Sequence, residues 1–351
     1  MLTKKQIEEI REHLENAKNP IFYYDNDADG LCSYILLRKF IDRGKGVSVR
    51  SFPDLNAGYA RKAQELNADY VFVLDKPVVA KEFVDEIKNL NLPIVWIDHH
   101  DVPTEVVDYD NLFVYNPSKS GKKSGEPVTY WCYKVSERKE DVWLAVVGCI
   151  ADHYLPKFSK EFAKEFPDYW GKNIKEPFDA YYETEIGRVA QALNFGLKDS
   201  VSNVVRLQNF LITIRGPGEV FLESSYNYLF RKKYEEIRRK YDELMKRAVE
   251  FAGEKIVFFE YGGELSISAD IANELSHKFK DKIISVAYRK GEVVNLSMRG
   301  KNVKRILERI LRKINGRGGG HEEAVGAQVS VDDLGKFREE LERVVGENTE
   351  D

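Results

Sequence analysis

The chain has 351 residues, a length that favours two domains, and its apolar fraction of 43 % is enough to build their cores. A net charge of −4 excludes a basic nucleic-acid coat, so contact with phosphates must come from a local site or from metal ions. The sequence has no apolar run long enough to span a membrane, no signal peptide at its charged N-terminus, and three scattered cysteines. We therefore expect a cytoplasmic protein.

Short apolar runs alternate with helical patterns over residues 1–160. Strands separated by helices indicate a parallel sheet with helices on both faces, and ligands bind beyond the carboxyl ends of such strands. The predicted strands are Ile21–Asp25, Val47–Phe52, Tyr70–Leu74, Ile94–Ile97 and Leu112–Tyr115. The predicted helices lie near Leu31–Ile41, Tyr59–Leu66 and Ala80–Leu90.

Residues 126–215 carry apolar positions at helical spacing and predict helices. Gly216-Pro217-Gly218 interrupts this pattern, and a long helix is expected from there to about Phe251. Its narrow apolar stripe favours a connecting or oligomerising helix over one that follows nucleic acid. The stripe consists of Phe230, Tyr234, Ile237, Tyr241, Leu244, Ala248 and Phe251.

From Lys255 onwards the pattern returns to strands and predicts a second, smaller α/β domain. Its predicted elements are strands Ile256–Glu260, Ile283–Tyr288 and Val293–Met298, helix Val303–Ile314, a glycine-rich loop at Gly316–His321, strand Gly326–Val331 and a terminal helix. We therefore divide the chain into a catalytic domain at 1–175, a helical connector with the long helix at 176–252, and a substrate-binding domain at 253–351.

Four clusters of acidic residues and histidines follow predicted strands or apolar runs. They are Asp25-Asn-Asp27-Ala-Asp29-Gly30, Asp75, Asp98-His99-His100 and Asp152-His153. Each alone is an ordinary strand end or helix cap, but together they would converge on one crevice of a parallel sheet. Crowded anions repel unless cations lie among them, which favours two divalent metals about 3.5–4 Å apart, a phosphoryl-hydrolysing arrangement. Mixed Asp and His ligands suit Mn²⁺, with Mg²⁺ or Co²⁺ as substitutes.

The first cluster also begins like the calcium loop of an EF-hand. Counted from Asp25, the twelfth residue is Leu36, where an EF-hand needs a bidentate glutamate. The preceding segment is also a predicted strand rather than a helix, so the EF-hand is excluded.

The four clusters, in this order and spacing, resemble motifs I to IV of the DHH phosphoesterase superfamily, which includes RecJ-type exonucleases, nanoRNases, cyclic-dinucleotide phosphodiesterases and family II pyrophosphatases. The archaeal RecJ-like proteins, among them the Hef-associated nuclease, resemble the chain most. The stretch GGGHEEAVGAQV is similar to the substrate-binding DHHA1 domain, and Ser297-Met298-Arg299 to the strand that brings an arginine to the substrate there. The resemblance covers nearly the whole chain and implies an active site in the cleft between a DHH and a DHHA1-like domain.

The resemblance also implies the metal ligands. Asp27 would bind the first metal and Asp29 the second. Asp75 would bridge both metals and orient the shared hydroxide. His99 and Asp152 would complete the second site.

Other motif residues would act around the metals. His100 would face the scissile phosphate, and Asp98 would orient the histidine pair. Asp25 would complete the first metal site or only support it, because relatives often have His there. Two departures from the family pattern, Lys76-Pro77 after Asp75 and His153 after motif IV, are expected to alter the pocket.

The glycine-rich loop can be interpreted from its residues alone, independently of the family resemblance. Consecutive glycines let backbone N–H groups approach an anion, and an arginine fork suits a phosphate or a terminal carboxylate. A flexible surface loop with a buried turn is the alternative. The predicted substrate-binding residues are Ser297, Arg299, Gly318, Gly319, Gly320 and His321.

Several residues outside the motifs are predicted to be solvated or structural. The lysine-bearing loop Ser118–Gly125 is solvated, with a substrate-facing role as the alternative. His13 and His277 lie in amphipathic helical patterns and have no predicted chemistry. Cys32 and Cys149 lie among apolar residues and are predicted to fill the core.

We predict a Mn²⁺-dependent exonuclease that degrades single-stranded RNA or DNA from the 3′ end and releases nucleoside 5′-monophosphates. The alternatives are a nanoRNase, a bisphosphonucleoside phosphatase or a cyclic-dinucleotide phosphodiesterase, and a non-catalytic replication or repair scaffold. Because the chain ends one helix after the DHHA1-like domain, we expect no OB-type domain and a preference for short strands. The predicted partners are single-stranded nucleic acid or short oligonucleotides and a repair protein such as the Hef helicase, and homo-oligomerisation stays open.

Overall fold

The structure is a computed structural model whose described residues form four segments, 1–51, 53–102, 109–120 and 125–347. The chain divides into two compact units, Met1–Tyr234 and Glu235–Asp351. The predicted class, with a parallel sheet in the N-terminal part and a smaller C-terminal α/β domain, is confirmed. The finer division of residues 1–252 into a catalytic domain and a connector stays a prediction. None of the described helices combines the length and the apolar character that a membrane crossing requires.

The first unit contains a five-stranded sheet and a separate two-stranded ladder. The strands are β1 (Pro20–Asp25), β2 (Lys45–Val49), β3 (Asp54–Leu55), β4 (Tyr70–Leu74), β5 (Val78–Val79), β6 (Ile94–Ile97) and β7 (Leu112–Tyr115). The sheet has the order β2-β1-β4-β6-β7 with every pair parallel, and β3 pairs with β5. The bounds predicted for β4, β6 and β7 are confirmed. The predicted strand β2 is present, but it begins at Lys45 and ends at Val49, opposite the end of β1 at Asp25. Phe52, the predicted end of this strand, lies outside the described residues.

Ten described helices of the first unit pack on the two faces of this sheet or against the helices that do. They are α1 (Lys4–Asn16), α2 (Ala28–Ile41), α3 (Arg61–Glu65), α4 (Lys81–Asn89), α5 (Val128–Ser136), α6 (Val142–Ala151), α7 (Ser159–Glu165), α8 (Pro177–Glu183), α9 (Glu185–Gly196) and α10 (Val201–Thr213). Alternate residues of β1 serve the two faces: Tyr23 packs with Phe83 of α4, whereas Phe22 packs with Tyr34 of α2. A sheet buried on both faces gives the continuous apolar strands of the sequence.

The predicted long helix is α11 (Tyr228–Glu250), and the boundary between the two units falls within it. Most of its predicted stripe is buried, including Ile237 and Tyr241. The prediction failed near the end of the helix, where Met245 is buried instead of Leu244 and Phe251 is exposed. A helix turns 100° per residue, so a strict alternation of three and four residues leaves the buried face after a few turns.

The second unit is a mixed five-stranded sheet with helices. Its elements are β8 (Ile256–Gly262), α12 (Ser268–Lys278), β9 (Ile283–Lys290), β10 (Val293–Arg299), α13 (Val303–Leu311), β11 (Gly316–His321), β12 (Ala324–Ser330) and α14 (Leu334–Glu347). The order is β11-β12-β10-β9-β8, with only the β8–β9 pair parallel among the described strands. Apolar side chains of α13 and α14, such as Leu307 and Phe337, pack with Met298 of β10 to form the core.

The glycine-rich segment was predicted as a loop, and this prediction was wrong. Gly316–His321 is the edge strand β11, paired antiparallel with β12 and exposed along its whole length. A Cβ at Gly318 would lie 2.6 Å from the carbonyl oxygen of Gly326, and one at Gly320, where φ is +143°, would lie 2.5 Å from that of Ala324. The glycines therefore allow a close backbone approach between two strands, a role that strand propensities do not reveal.

Candidate metal centre

Three of the four predicted clusters lie at one edge of the parallel sheet. Asp25 ends β1, Asp75 follows β4, and Asp98 follows β6, and these three strands are neighbours in the sheet. The fourth cluster does not follow a strand, because Asp152 is the C-cap residue of helix α6. The run AVVGCIA before Asp152 lies within residues 126–215, which were predicted to be helical, and it is helical.

Asp75 has an unusual backbone and an unsatisfied side chain. Its φ of +60° lies in the left-handed region, which non-glycine residues adopt rarely and often at functional sites. The residue is 2 % exposed, and its Oδ1 has no hydrogen-bond partner among the described residues. This oxygen lies 3.4 Å from Nε2 of His99 and 3.9 Å from Nδ1 of His100. A buried carboxylate oxygen without a donor fits a metal ligand.

The described donors form two groups that share His99. One group is Asp75, His99 and His100, and the other is Asp29, His99 and Asp152, and in each group one donor atom per residue lies within 4.8 Å of the others. His99 Nε2 lies 3.6 Å from Oδ2 of Asp152. Either group could hold a divalent cation with oxygen and nitrogen ligands.

Asp29 connects this centre to helix α5. Its two carboxylate oxygens accept hydrogen bonds from the backbone N–H groups of Val128 at 3.0 Å and Thr129 at 2.7 Å. The Thr129 hydroxyl donates to the backbone oxygen of Asp29 at 2.8 Å. Asp29 therefore binds the N-terminus of α5 through both of its carboxylate oxygens.

Asp27 starts helix α2. Its Oδ1 accepts a hydrogen bond from the backbone N–H of Gly30 at 2.8 Å, so Asp27 is the N-cap and the helix begins three residues earlier than predicted. A Cβ at Gly30 would lie 2.5 Å from the backbone oxygen of Asp25, which explains the glycine of this motif. Burial, and then the charges of Asp25 and Asp29, raise the pKa of Asp27 to about 7.

The same crowding acts on Asp75. Burial, followed by the charges of Asp29 and Asp27, raises the pKa of Asp75 well above its usual value. Buried carboxylates this close together are unfavourable when all are ionised, and a divalent cation removes that penalty. The electrostatics thus fit metal binding, while the assignment of each ligand stays a prediction.

Asp98 and Asn116 fix the orientation of His100. Asp98 is 1 % exposed, and its Oδ1 pairs with Nδ1 of His100 at 2.7 Å. The side-chain amide of Asn116 donates to Oδ2 of Asp98 at 3.0 Å and to the backbone oxygen of His100 at 2.9 Å. Burial lowers the pKa of His100, but the hydrogen bond and charge of Asp98, with Asp27 and Asp29, outweigh it and raise the pKa. Asn116 received no role in the sequence analysis, although its amide completes this arrangement.

Asp25 is arranged differently from the other aspartates. Its Oδ1 accepts hydrogen bonds from Nζ of Lys76 at 2.9 Å and from the backbone N–H of Asn26 at 2.9 Å. Among the described residues, neither of the two donor groups includes Asp25 or Asp27. Lys76, the departure from the family pattern, is therefore part of this site.

The predicted substrate-binding residues of the second unit lie close together in its sheet. The register of β10, β12 and β11 places Arg299, Ala324 and His321 in one row. Arg299 is half-buried, and its Nε donates to Oδ1 of Asn273 at 2.5 Å. Ser297 shares a hydrogen bond with the Ser268 hydroxyl at 2.9 Å. The position of this row in an active-site cleft stays a prediction.

The remaining predictions concern single residues. Lys122 and Lys123 of the predicted lysine-bearing loop lie outside the described residues. His13 lies 2.8 Å from the Tyr70 hydroxyl, a structural contact. Cys32 and Cys149 are buried, and burial raises the pKa of both thiols.

Family models match two parts of the chain. The N-terminal domain of the DHH family matches residues 21–153, and the DHHA1 domain matches residues 252–347. The chain therefore carries a DHH domain, which contains the candidate metal centre, followed by a DHHA1 domain. A comparison with curated proteins gives no match.

Solved structures share this two-domain fold. RecJ from Thermus thermophilus in complex with Mn²⁺ is 12 % identical with a TM-score of 0.66, and the match covers 98 % of this chain and 54 % of RecJ. An exonuclease RecJ bound to manganese is 15 % identical with a TM-score of 0.57, covering 97 % and 94 %. A pGpG-specific phosphodiesterase from Vibrio cholerae is 12 % identical with a TM-score of 0.50, covering 93 % and 99 %. The chain thus spans about half the length of the Thermus RecJ, and at these identities the likeness concerns the fold.

Proposed function

We propose that this chain is a divalent-metal-dependent phosphodiesterase that shortens single-stranded RNA or DNA from the 3′ end and releases nucleoside 5′-monophosphates. The observation that carries the proposal is the pair of donor groups sharing His99, together with the unsatisfied Oδ1 of Asp75. Oxygen and imidazole donors suit Mn²⁺, and the two RecJ structures of similar fold contain manganese. We propose two such ions, because two groups of donors lie side by side.

Two bound divalent cations would lower the pKa of a water molecule and neutralise phosphate charge. Within the chain, Asp75 would orient the attacking water through its unsatisfied oxygen. Nδ1 of His100 lies 2.7 Å from Oδ1 of Asp98, which leaves Nε2 as the nitrogen that would face the scissile phosphate.

In the second unit, the row of Arg299 and His321 would bind the terminal phosphate and sugar of the strand. The arginine fork gives directional hydrogen bonds to phosphate, and the exposed histidine adds a donor. The 3′ polarity rests on the resemblance to archaeal RecJ-like exonucleases.

Digestion of 5′-labelled RNA and DNA oligonucleotides of several lengths tests the proposal. With Mn²⁺ we expect a ladder of shrinking labelled products, which chelator abolishes and added Mn²⁺ restores. Immediate release of labelled mononucleotide would mean attack from the 5′ end. A cut in the middle of every strand would contradict an exonuclease.

The second candidate function is hydrolysis of very short substrates. The pGpG-specific phosphodiesterase matches this chain over 99 % of its own length, so a fold of this size suits a dinucleotide. Initial rates with pGpG and with strands of increasing length separate the two functions. A rate that vanishes beyond a few nucleotides would favour the short-substrate enzyme. Absence of turnover in metal-loaded protein would instead favour a scaffold, for which a repair partner such as the Hef helicase stays a prediction.

A further inference from the structure

Lys76 places a positive charge inside the carboxylate cluster. The residue directly follows Asp75, and its side chain is 0 % exposed. Its Nζ donates to Oδ1 of Asp25 at 2.9 Å and to the backbone oxygen of Ser51 at 2.7 Å. Burying an ammonium group costs several kcal/mol unless an anion and hydrogen-bond acceptors compensate. The buried ammonium group of Lys76 therefore depends on the carboxylate of Asp25 for compensation of its charge.

This pairing changes what Asp25 can do. One of its oxygens accepts both the ammonium of Lys76 and the backbone N–H of Asn26. That oxygen has little capacity left for a cation, and the positive charge of Lys76 opposes cation binding by the whole carboxylate. Among the described residues, neither of the two donor groups of the metal centre includes Asp25.

We infer that Lys76 is a positioning residue that removes Asp25 from the ligand set and makes the two proposed cations bind with unequal affinity. The cation of the group formed by Asp75, His99 and His100 meets the like charge of Lys76, which directly follows Asp75, and lacks the carboxylate of Asp25, so it binds more weakly. The cation held by Asp29, His99 and Asp152 keeps its donors. The inference rests on the proposed function for the presence of the cations and is independent of turnover.

Mn²⁺ titrations of metal-free protein, followed by calorimetry and by the electron paramagnetic resonance signal of free Mn²⁺, test this inference. The wild type should bind one Mn²⁺ tightly and a second about tenfold or more weakly. Lys76→Met should tighten the weaker site by about tenfold, because Asp25 becomes available as a ligand. Adding Asp25→Asn to Lys76→Met should remove that gain, whereas Asp25→Asn alone should have a much smaller effect.

Lys39→Met is the matched control. Lys39 belongs to the same unit, its side chain is 9 % exposed, and it pairs with Asp141 rather than with the cluster, so its loss should lower stability and leave Mn²⁺ affinity unchanged. If Lys76→Met does not fold, Asp25→Asn and Asp75→Asn in the native background remain decisive. Equal losses of Mn²⁺ affinity in these two variants would overturn the inference, as would unchanged affinity in folded Lys76→Met. A wild type that binds no Mn²⁺ would overturn both this inference and the metal centre, whereas tight binding without nuclease activity contradicts the proposed function alone.

Discussion

The two units hold their predicted functional residues in opposite environments. In the first unit, Asp29, Asp75 and Asp98 are at most 2 % exposed, and their charges oppose one another. In the second unit, strand β11 is exposed along its whole length, so water screens the charges around it. A divalent cation would relieve the repulsion among the buried carboxylates of the first unit, whereas the exposed groups of the second unit need no such compensation. Substitutions should therefore act on chemistry and metal binding in the first unit, and on substrate capture in the second.

The largest expected effect belongs to Asp75→Asn. Its buried oxygen is central to the proposed metal centre, so we expect kcat to fall by about a thousandfold or more with little change in KM. Steady-state kinetics on a short oligonucleotide in Mn²⁺ buffer measure this. Activity near that of the wild type would refute the assignment.

In the second unit, Arg299→Ala and His321→Ala should have smaller effects on catalysis. Loss of an arginine that contacts phosphate typically costs about 1–3 kcal/mol of binding, so we expect KM to rise by about tenfold to a hundredfold while kcat stays nearly constant. The same oligonucleotide assay resolves KM from kcat. A fall in kcat as large as that of Asp75→Asn would contradict the expectation that substitutions in the second unit act on substrate capture and not on chemistry.

The glycines of β11 offer a pair of matched variants. Gly320→Ala adds a Cβ at φ +143° and 2.5 Å from a backbone oxygen, so it should destabilise the protein by about 1–3 kcal/mol. Gly319→Ala meets nothing within 4 Å and should be tolerated. Urea unfolding of both variants measures the difference, and equal stabilities would contradict the close strand pairing.

The smallest expected effect is a dependence of stability on pH. The folded-state pKa of Asp27, about 7, lies above the value of an unfolded aspartate, so protonation stabilises the fold. In metal-free protein this stabilisation is complete below about pH 4 and is lost as the pH rises to about 7. The melting temperature should therefore fall between pH 5 and pH 8, and Mn²⁺ should raise it more at pH 8. If the melting temperature of Asp27→Asn falls by the same amount over this pH range, other titrating groups cause the effect.

The sequence was most informative where a residue's neighbours along the chain determine its position. Asp75 and Asp98 follow short apolar strands, so their convergence could be predicted from the parallel sheet alone. The ion pair between Lys76 and Asp25 joins residues 51 positions apart, and it opposes the expectation that lysines lie in solvent. The role of Asn116 also depends on contacts between β6 and the segment after β7.

In the second unit, the prediction of a glycine-rich loop failed for a different reason. Glycine normally signals a turn, whereas in β11 it permits contact between two backbones that side chains would separate. The backbone atoms that leave no room for a side chain lie in the opposite strand, at Gly326 and Ala324. The need for glycine therefore cannot be predicted from the segment Gly316–His321 alone.

Asp75 lowers the stability of the fold around the candidate metal centre. The residue combines a left-handed conformation with a buried carboxylate among other anions, and both features disfavour folding. Neutral substitutions at this position should make the metal-free fold more robust while removing the proposed chemistry. Selection for stability alone would therefore disfavour an aspartate here, so the proposed chemistry of this position opposes the stability of the fold.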